Sequence, residues 1–121
     1  MSSSAVILFA HGAREAEWAI PFEQVRDRLR AGGLRVELAY LEIMKPSLDE
    51  AARIFSEENV KDATIVPLFL AQGKHLQREL PEMVAALRRK YPGMSLRVTP
   101  ALGDAPEILA AIVAWVKRSA R

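Results

Sequence analysis

The 121-residue sequence contains no cysteine. That excludes disulfides, thiolate nucleophiles, thiolate zinc sites and cysteine-ligated iron–sulfur clusters. A metal handled by this chain must be bound by histidine, carboxylate, or neutral oxygen and nitrogen groups. Histidine is scarce too: there are two, so the positions of His11 and His75 are informative. No apolar stretch approaches the roughly 18 residues of a membrane-spanning helix; runs such as 5–10 and 65–71 fall far short of it. The N-terminus has no positive leader region and its apolar run stops at His11 and Arg14. No signal peptide and a cytoplasmic location are the expectations. Neither sign of charge dominates: 17 basic and 15 acidic residues leave a net +2. No block of five or six like charges appears, so no nucleic-acid stripe is expected. A Gly-x-Ser-x-Gly elbow, a Walker loop and a Gly-x-Gly-x-x-Gly turn after the first strand are all missing. The first strand ends in His-Gly where a phospho-receiver needs acids, and Ala10 stands where an Arg-His-Gly phosphatase needs arginine.

What is present is an alternation of short apolar runs and amphipathic stretches. Runs at 5–10, 36–41, 63–70 and the weaker 95–99 read as strands, apolar on both faces as buried parallel strands are. Pro67 cannot donate to a ladder, so regular pairing should end near it. Trp18, Phe22, Val25 and Leu29 fall on one face of a first helix, stopped by Gly32-Gly33. Ser47 and Glu50 form a capping box that opens a helix to about Glu58, carrying Leu48, Ala51, Ala52 and Phe55. Leu80, Val84, Leu87 and Tyr91 mark a third helix, with Pro81 placed in its first turn. Asp104 through Glu107 resembles a second capping box, with Pro106 in the first turn. The fourth helix should turn Ile108, Leu109, Ile112, Trp115 and Val116 toward the core. Strand–helix repeated four times implies α/β architecture: a four-stranded parallel, doubly wound sheet ordered 2-1-3-4, with flanking helices and right-handed crossovers. Residues 1–121 read as a single domain.

In such sheets ligands bind outside the carboxyl ends of the strands, where chain order reverses. His11 follows the first strand and His75 lies in the loop after the third, its neighbour in the proposed order. Two imidazoles at this edge suit one divalent iron, cobalt, nickel or zinc ion, in an open site fit for an ion that is passed on. Each histidine taken singly reads more readily as a loop hydrogen-bonder; the shared edge is what favours a ligand pair. Glu79 is a candidate third ligand or proton acceptor; its bland alternative is a helix-end acid. Glu42 ends the second strand at the same edge, or is a solvated loop acid. Arg14, Lys45, Lys74 and Arg78 occupy these loops and suit a polyanionic ligand, or form an ordinary charged rim. Met44 is assigned to loop packing.

Three ordered segments then carry a resemblance. Ala10-His-Gly-Ala-Arg14 resembles the His-Gly-Ser-Arg opening of the small sirohydrochlorin chelatases of the cobalamin-pathway CbiX type. Leu41-Glu-Ile-Met-Lys-Pro-Ser-Leu48 is similar to that family's Leu-Glu-x-x-x-Pro-Ser-Leu segment. Val66-Pro-Leu-Phe-Leu-Ala-Gln-Gly-Lys-His75, followed by Glu79-Leu-Pro81, is similar to its Pro-Leu-Phe-Leu-x-x-Gly-x-His and acid-x-Pro segments. Ala13 departs from the usual serine and removes a hydroxyl. Glu79 stands where aspartate is common, keeping the charge but lengthening its reach. The resemblance implies insertion of a divalent metal (cobalt, ferrous iron or nickel) into sirohydrochlorin, a tetrapyrrole with eight carboxylates, without a nucleotide. It carries the family's metal-binding histidines onto His11 and His75. The expected catalytic set is His11, His75 and Glu79, with cobalt the expected ion, and Arg14, Glu42, Lys45, Lys74 and Arg78 expected at the tetrapyrrole.

The resemblance is to short forms that pair as homodimers, with the two carboxyl edges facing a shared cleft. Phe55, Met83 and Val84 are the expected interface surface, or ordinary core. Competing readings are a metal or tetrapyrrole carrier without turnover, a phosphotransfer enzyme using His11, and a structural subunit with incidental histidines.

Overall fold

The computed structural model describes residues 4–120. Four parallel strands, β1 (Ser4–Ala10), β2 (Arg35–Tyr40), β3 (Asp62–Pro67) and β4 (Ser95–Val98), form one sheet in the order β2-β1-β3-β4. The expected order and strand direction hold. β1 is central because its residues are apolar on both faces. Ile7 and Phe9 point one way, into a core shared with Leu48, Ala51, Ala52 and Phe55 of α2 (Leu48–Glu57) and with Leu76, Leu80, Val84 and Leu87 of α3 (Lys74–Lys90). Leu8 and Ala10 point the other way, to Val36, Leu38 and Tyr40 and to Phe22 and Leu29 of α1 (Ile20–Ala31). A fully buried phenylalanine such as Phe9 or Phe55 is worth about 3–5 kcal/mol against alanine.

β3 ends at Pro67, as the missing amide requires. Ser47 caps α2 as the sequence predicts: its Oγ accepts from the Glu50 amide at 3.1 Å, and its own amide donates to the Glu50 carboxylate at 2.8 Å. Both edge strands are blunted by arginine forks. Arg30 donates twice to the Val36 carbonyl on β2, and Arg88 twice to that of Leu96 on β4.

Four expectations are corrected. Trp18 and Val25 are 65% and 45% exposed, not core. Trp18 lies in a 3-10 turn (Ala16–Ala19) before α1, whose second residue is Pro21, so the helical spacing does not extend back to it. α3 begins at Lys74, and Pro81 sits inside it rather than in its first turn; Leu76 continues the apolar face one turn earlier. Phe55 and Val84 are 0% and 2% exposed, and Met83 packs against the same cluster, so this surface is core and not interface.

The fourth concerns α4 (Pro106–Ser119). Pro106 is in its first turn, but Asp104 belongs to a 3-10 turn (Leu102–Asp104), and Ala105 occupies the cap without a side-chain bond. No residue of α4 is buried. Leu109, Ile112, Trp115 and Val116 are 46%, 37%, 63% and 54% exposed, and Ile108 is half-buried. The helix follows the edge strand β4, and among the described residues no strand comes after it.

Candidate metal and ligand site at the strand ends

The β1–β2 ladder runs on past both strands. The Leu41 amide donates to Ala10 O at 2.9 Å, and the Glu42 amide to His11 O at 3.2 Å. His11 and Glu42 are thus set side by side by backbone pairing, and their side chains meet: Glu42 Oε1 accepts from His11 Nε2 at 2.9 Å. Two donors on one ion at roughly 2.1 Å and a right angle stand about 3 Å apart. The pair therefore has the spacing of neighbouring ligands on a single divalent ion.

Two backbone features make this approach possible. Gly12 has φ +97°, and a β-carbon there would collide with the Glu42 carbonyl. Ile43 follows at φ +70°, and the Met44 amide donates back to Glu42 O at 2.7 Å, closing the rare γ-turn with positive φ. A β-branched residue in this region stores strain. The turn holds the Glu42 carboxylate toward β1.

On the other side, Leu68 N donates to Phe9 O at 2.8 Å and carries the chain past β3. Phe69, 6% exposed, packs edge-on against Phe9 at 5.7 Å between centroids and against the His11 ring at 6.2 Å. The His11 imidazole thus rests on the core. Gly103 lies against the Leu70 carbonyl, where any β-carbon would collide, and its amide donates to Phe69 O at 3.0 Å, fixing this turn from the α4 side.

His75 is in the first turn of α3, not in a loop. It pairs with Glu79 one helical turn on, Nε2 to Oε1 at 2.7 Å, with the imidazole 84% exposed. Lys74 and Arg78 belong to the same helix start, which corrects their loop placement, while Arg14 and Lys45 are in loops as expected. All four are exposed, and among the described residues none of the four is in an ion pair. His11 and His75 follow the neighbouring strands β1 and β3. Each is engaged by its own glutamate, and no three of His, Asp and Glu converge as a metal-holding group among the described residues.

A cavity of about 410 Å³ opens beside His11. Its lining is mostly apolar, from Trp18, Phe22, Tyr40, Met44 and Leu68, and includes Gly12, Ala13 and the acidic Glu15. The helical spacing points Trp18 to the core, whereas the structure sets it at this cavity. The signal was Pro21, which starts the helix too late to include it. Met44 packs beside the second core cluster as expected.

The CbiX family model matches residues 5–119. The chain is 30% identical over 98 residues to the sirohydrochlorin cobaltochelatase of Sulfurisphaera tokodaii, covering 81% of this chain and 78% of that one. It is 27% identical over 100 residues to the chloroplastic sirohydrochlorin ferrochelatase of Arabidopsis thaliana, covering 81% of this chain and 44% of that one. Among solved structures, a CbiX protein from Marinobacter aquaeolei VT8 superposes with a TM-score of 0.84 at 33% identity over 96% of both chains. The sirohydrochlorin chelatase SirB of Bacillus subtilis subspecies spizizenii, in complex with cobalt, superposes at 0.78 with 20% identity, over 98% of this chain but 51% of its own. This chain thus spans about half the length of the last relative and less than half of the plant one.

Proposed function

The chain belongs to the CbiX family, and on that premise we propose that it is a sirohydrochlorin metal chelatase acting without a nucleotide. The observation that carries the reading is the His11–Glu42 pair, whose 2.9 Å separation suits a divalent ion taken up at the open carboxyl edge. The ion is a substrate. It displaces the proton shared by His11 and Glu42, and His75 supplies a further nitrogen from the start of α3. An ion held by so few protein ligands keeps positions open for pyrrole nitrogens. Insertion replaces two pyrrole protons with one divalent ion. Glu79 is the acceptor for one of them and, being partly exposed, passes it to solvent; the other restores the proton shared by His11 and Glu42 as the ion leaves that pair. Arg14, Lys45, Lys74 and Arg78 bind peripheral carboxylates of the macrocycle.

Cobalt is the ion we assign, from the cobaltochelatase relatives; ferrous iron and nickel are the alternatives. No helix among the described residues is long and apolar enough to cross a membrane. For assembly we assign a second copy of this chain to the bare apolar face of α4. Support comes from the exposure of Leu109, Val113 and Trp115 and from chelatases of about twice this length.

The test is anaerobic initial rates with sirohydrochlorin and each of cobalt, ferrous iron and nickel, without ATP, read from the absorption change of the tetrapyrrole. Multiple turnovers with at least one ion are expected. Stoichiometric binding of metal or tetrapyrrole with no turnover would instead make the chain a carrier.

A further inference from the structure

We propose that Trp18 is the platform on which the face of the tetrapyrrole lies, and that it sets affinity for the macrocycle rather than for the metal. The inference rests on the chelatase reading above and goes beyond its ligands and proton acceptors.

Three large apolar side chains are bare at the carboxyl edge of the sheet: Trp18, Ile43 and Leu70, at 65%, 63% and 65% exposure. Trp18 alone of these lines the 410 Å³ cavity that also contains His11. That volume lies within the usual range for ligand sites. Phe22, Met44 and Leu68 back it with further apolar surface, so a flat hydrophobic ligand entering here meets aromatic and thioether groups. An indole offers a large rigid π-face at low conformational entropy, and offset stacking adds to the area it buries.

The surroundings select the kind of flat ligand. Arg14 follows Gly12 and Ala13 on the loop that forms the cavity wall, and Lys45 follows Met44 on the opposite loop. An apolar lining with these two cations beside it matches a conjugated ring whose rim carboxylates turn toward Arg14 and Lys45 and away from Glu15, the acid that lines the cavity. A macrocycle lying on Trp18 has an imidazole of the metal pair within the same cavity, as metal transfer to its ring nitrogens requires. The 3-10 turn holds Trp18 here: its amide donates to Glu15 O at 3.1 Å, and Ala19 beside it is buried. Trp18 is a substrate-binding residue, and no proton or ligand role falls to it.

The experiment compares wild type, Trp18→Ala and Trp18→Phe in three measurements: titration of metal-free sirohydrochlorin followed by its own absorption, titration of cobalt alone, and steady-state insertion. Trp18→Ala is expected to weaken sirohydrochlorin binding and raise its KM at least tenfold, with kcat within about threefold and cobalt affinity unchanged. Trp18→Phe should recover most of the binding. Unchanged sirohydrochlorin affinity in Trp18→Ala, with an active wild type, overturns the platform and leaves the chelatase reading standing. Parallel loss of cobalt and tetrapyrrole binding also overturns it, because that marks a structural role. A wild type that neither binds nor metallates sirohydrochlorin overturns both readings.

Discussion

Glu42 accepts a hydrogen bond from His11 at 2.9 Å, and the two residues are also joined through their backbones, Glu42 N to His11 O at 3.2 Å. A side-chain pair so exposed contributes little stability. What holds it is the close passage of one loop over the other at Gly12.

Gly12→Ala removes that passage. The residue sits at φ +97°, and the new methyl would collide with the Glu42 carbonyl oxygen. Either the loop 41–46 moves out or the end of β1 twists, and both separate His11 from Glu42. We expect a loss of roughly 1–3 kcal/mol in stability and a fall in cobalt affinity of about tenfold or more. Urea unfolding and a cobalt titration check the two separately. Wild-type affinity in a folded Gly12→Ala protein would show that the pair is not the ion's entry point.

Ile43→Gly should act in the opposite direction on stability. Isoleucine at φ +70° is strained by its β-branching, whereas glycine adopts that region freely. The side chain is 63% exposed, so its removal gives up little burial. A gain of about 1 kcal/mol is expected, less than the full strain because glycine also loosens the unfolded chain. Thermal unfolding measures it. A protein destabilised by the change would mean that the Ile43 side chain, not the γ-turn, holds the loop.

Much of this was legible in the sequence because it depends on local rules. The capping box at Ser47, the stop at Gly32-Gly33 and the end of β3 at Pro67 are each set by one or two residues acting on their own backbone. The order of the strands followed from four apolar runs and the handedness of their crossovers. The pairing of Glu42 with His11 was not legible. It depends on a positive φ at Ile43, which isoleucine does not announce, and on a glycine whose partner lies 30 residues away in the chain (42 − 12 = 30). α4 misled for a different reason. Its apolar residues recur at helical spacing, and that pattern reports that a face is to be covered without saying by which molecule.

Glu79→Gln keeps the shape of the helix start while removing the proton acceptor. The side chain reaches Nε2 of His75 at 2.7 Å on a well-exposed helical turn. An i,i+4 pair of this kind is worth only about 0.2–0.5 kcal/mol, so the fold should be unaffected. Insertion is expected to slow by about 10²-fold or more, with cobalt binding retained. His11→Ala and His75→Ala should each nearly abolish insertion, and His11→Ala should also lose the ion. Full turnover in Glu79→Gln would reduce that residue to an ordinary helix acid.

The last expectation concerns α4. Ile112 and Val116 are one turn apart, 37% and 54% exposed, on a helix with no buried residue. Side chains so exposed in one chain make few contacts to lose, and surface changes of this kind shift stability by about 0.5 kcal/mol or less. Ile112→Glu with Val116→Glu should therefore leave each chain folded. If a second copy covers this face, the same change sets two carboxylates per chain into an apolar interface, where uncompensated charge is strongly unfavourable. Sedimentation equilibrium at micromolar concentration should then show a wild-type dimer and a monomeric double variant with unchanged far-ultraviolet circular dichroism. Because a broad macrocycle fills a cleft between subunits better than one shallow edge, insertion should fall along with dimerisation. A double variant that remains dimeric would place the interface elsewhere. A wild type that is monomeric at full specific activity would confine the site to a single chain.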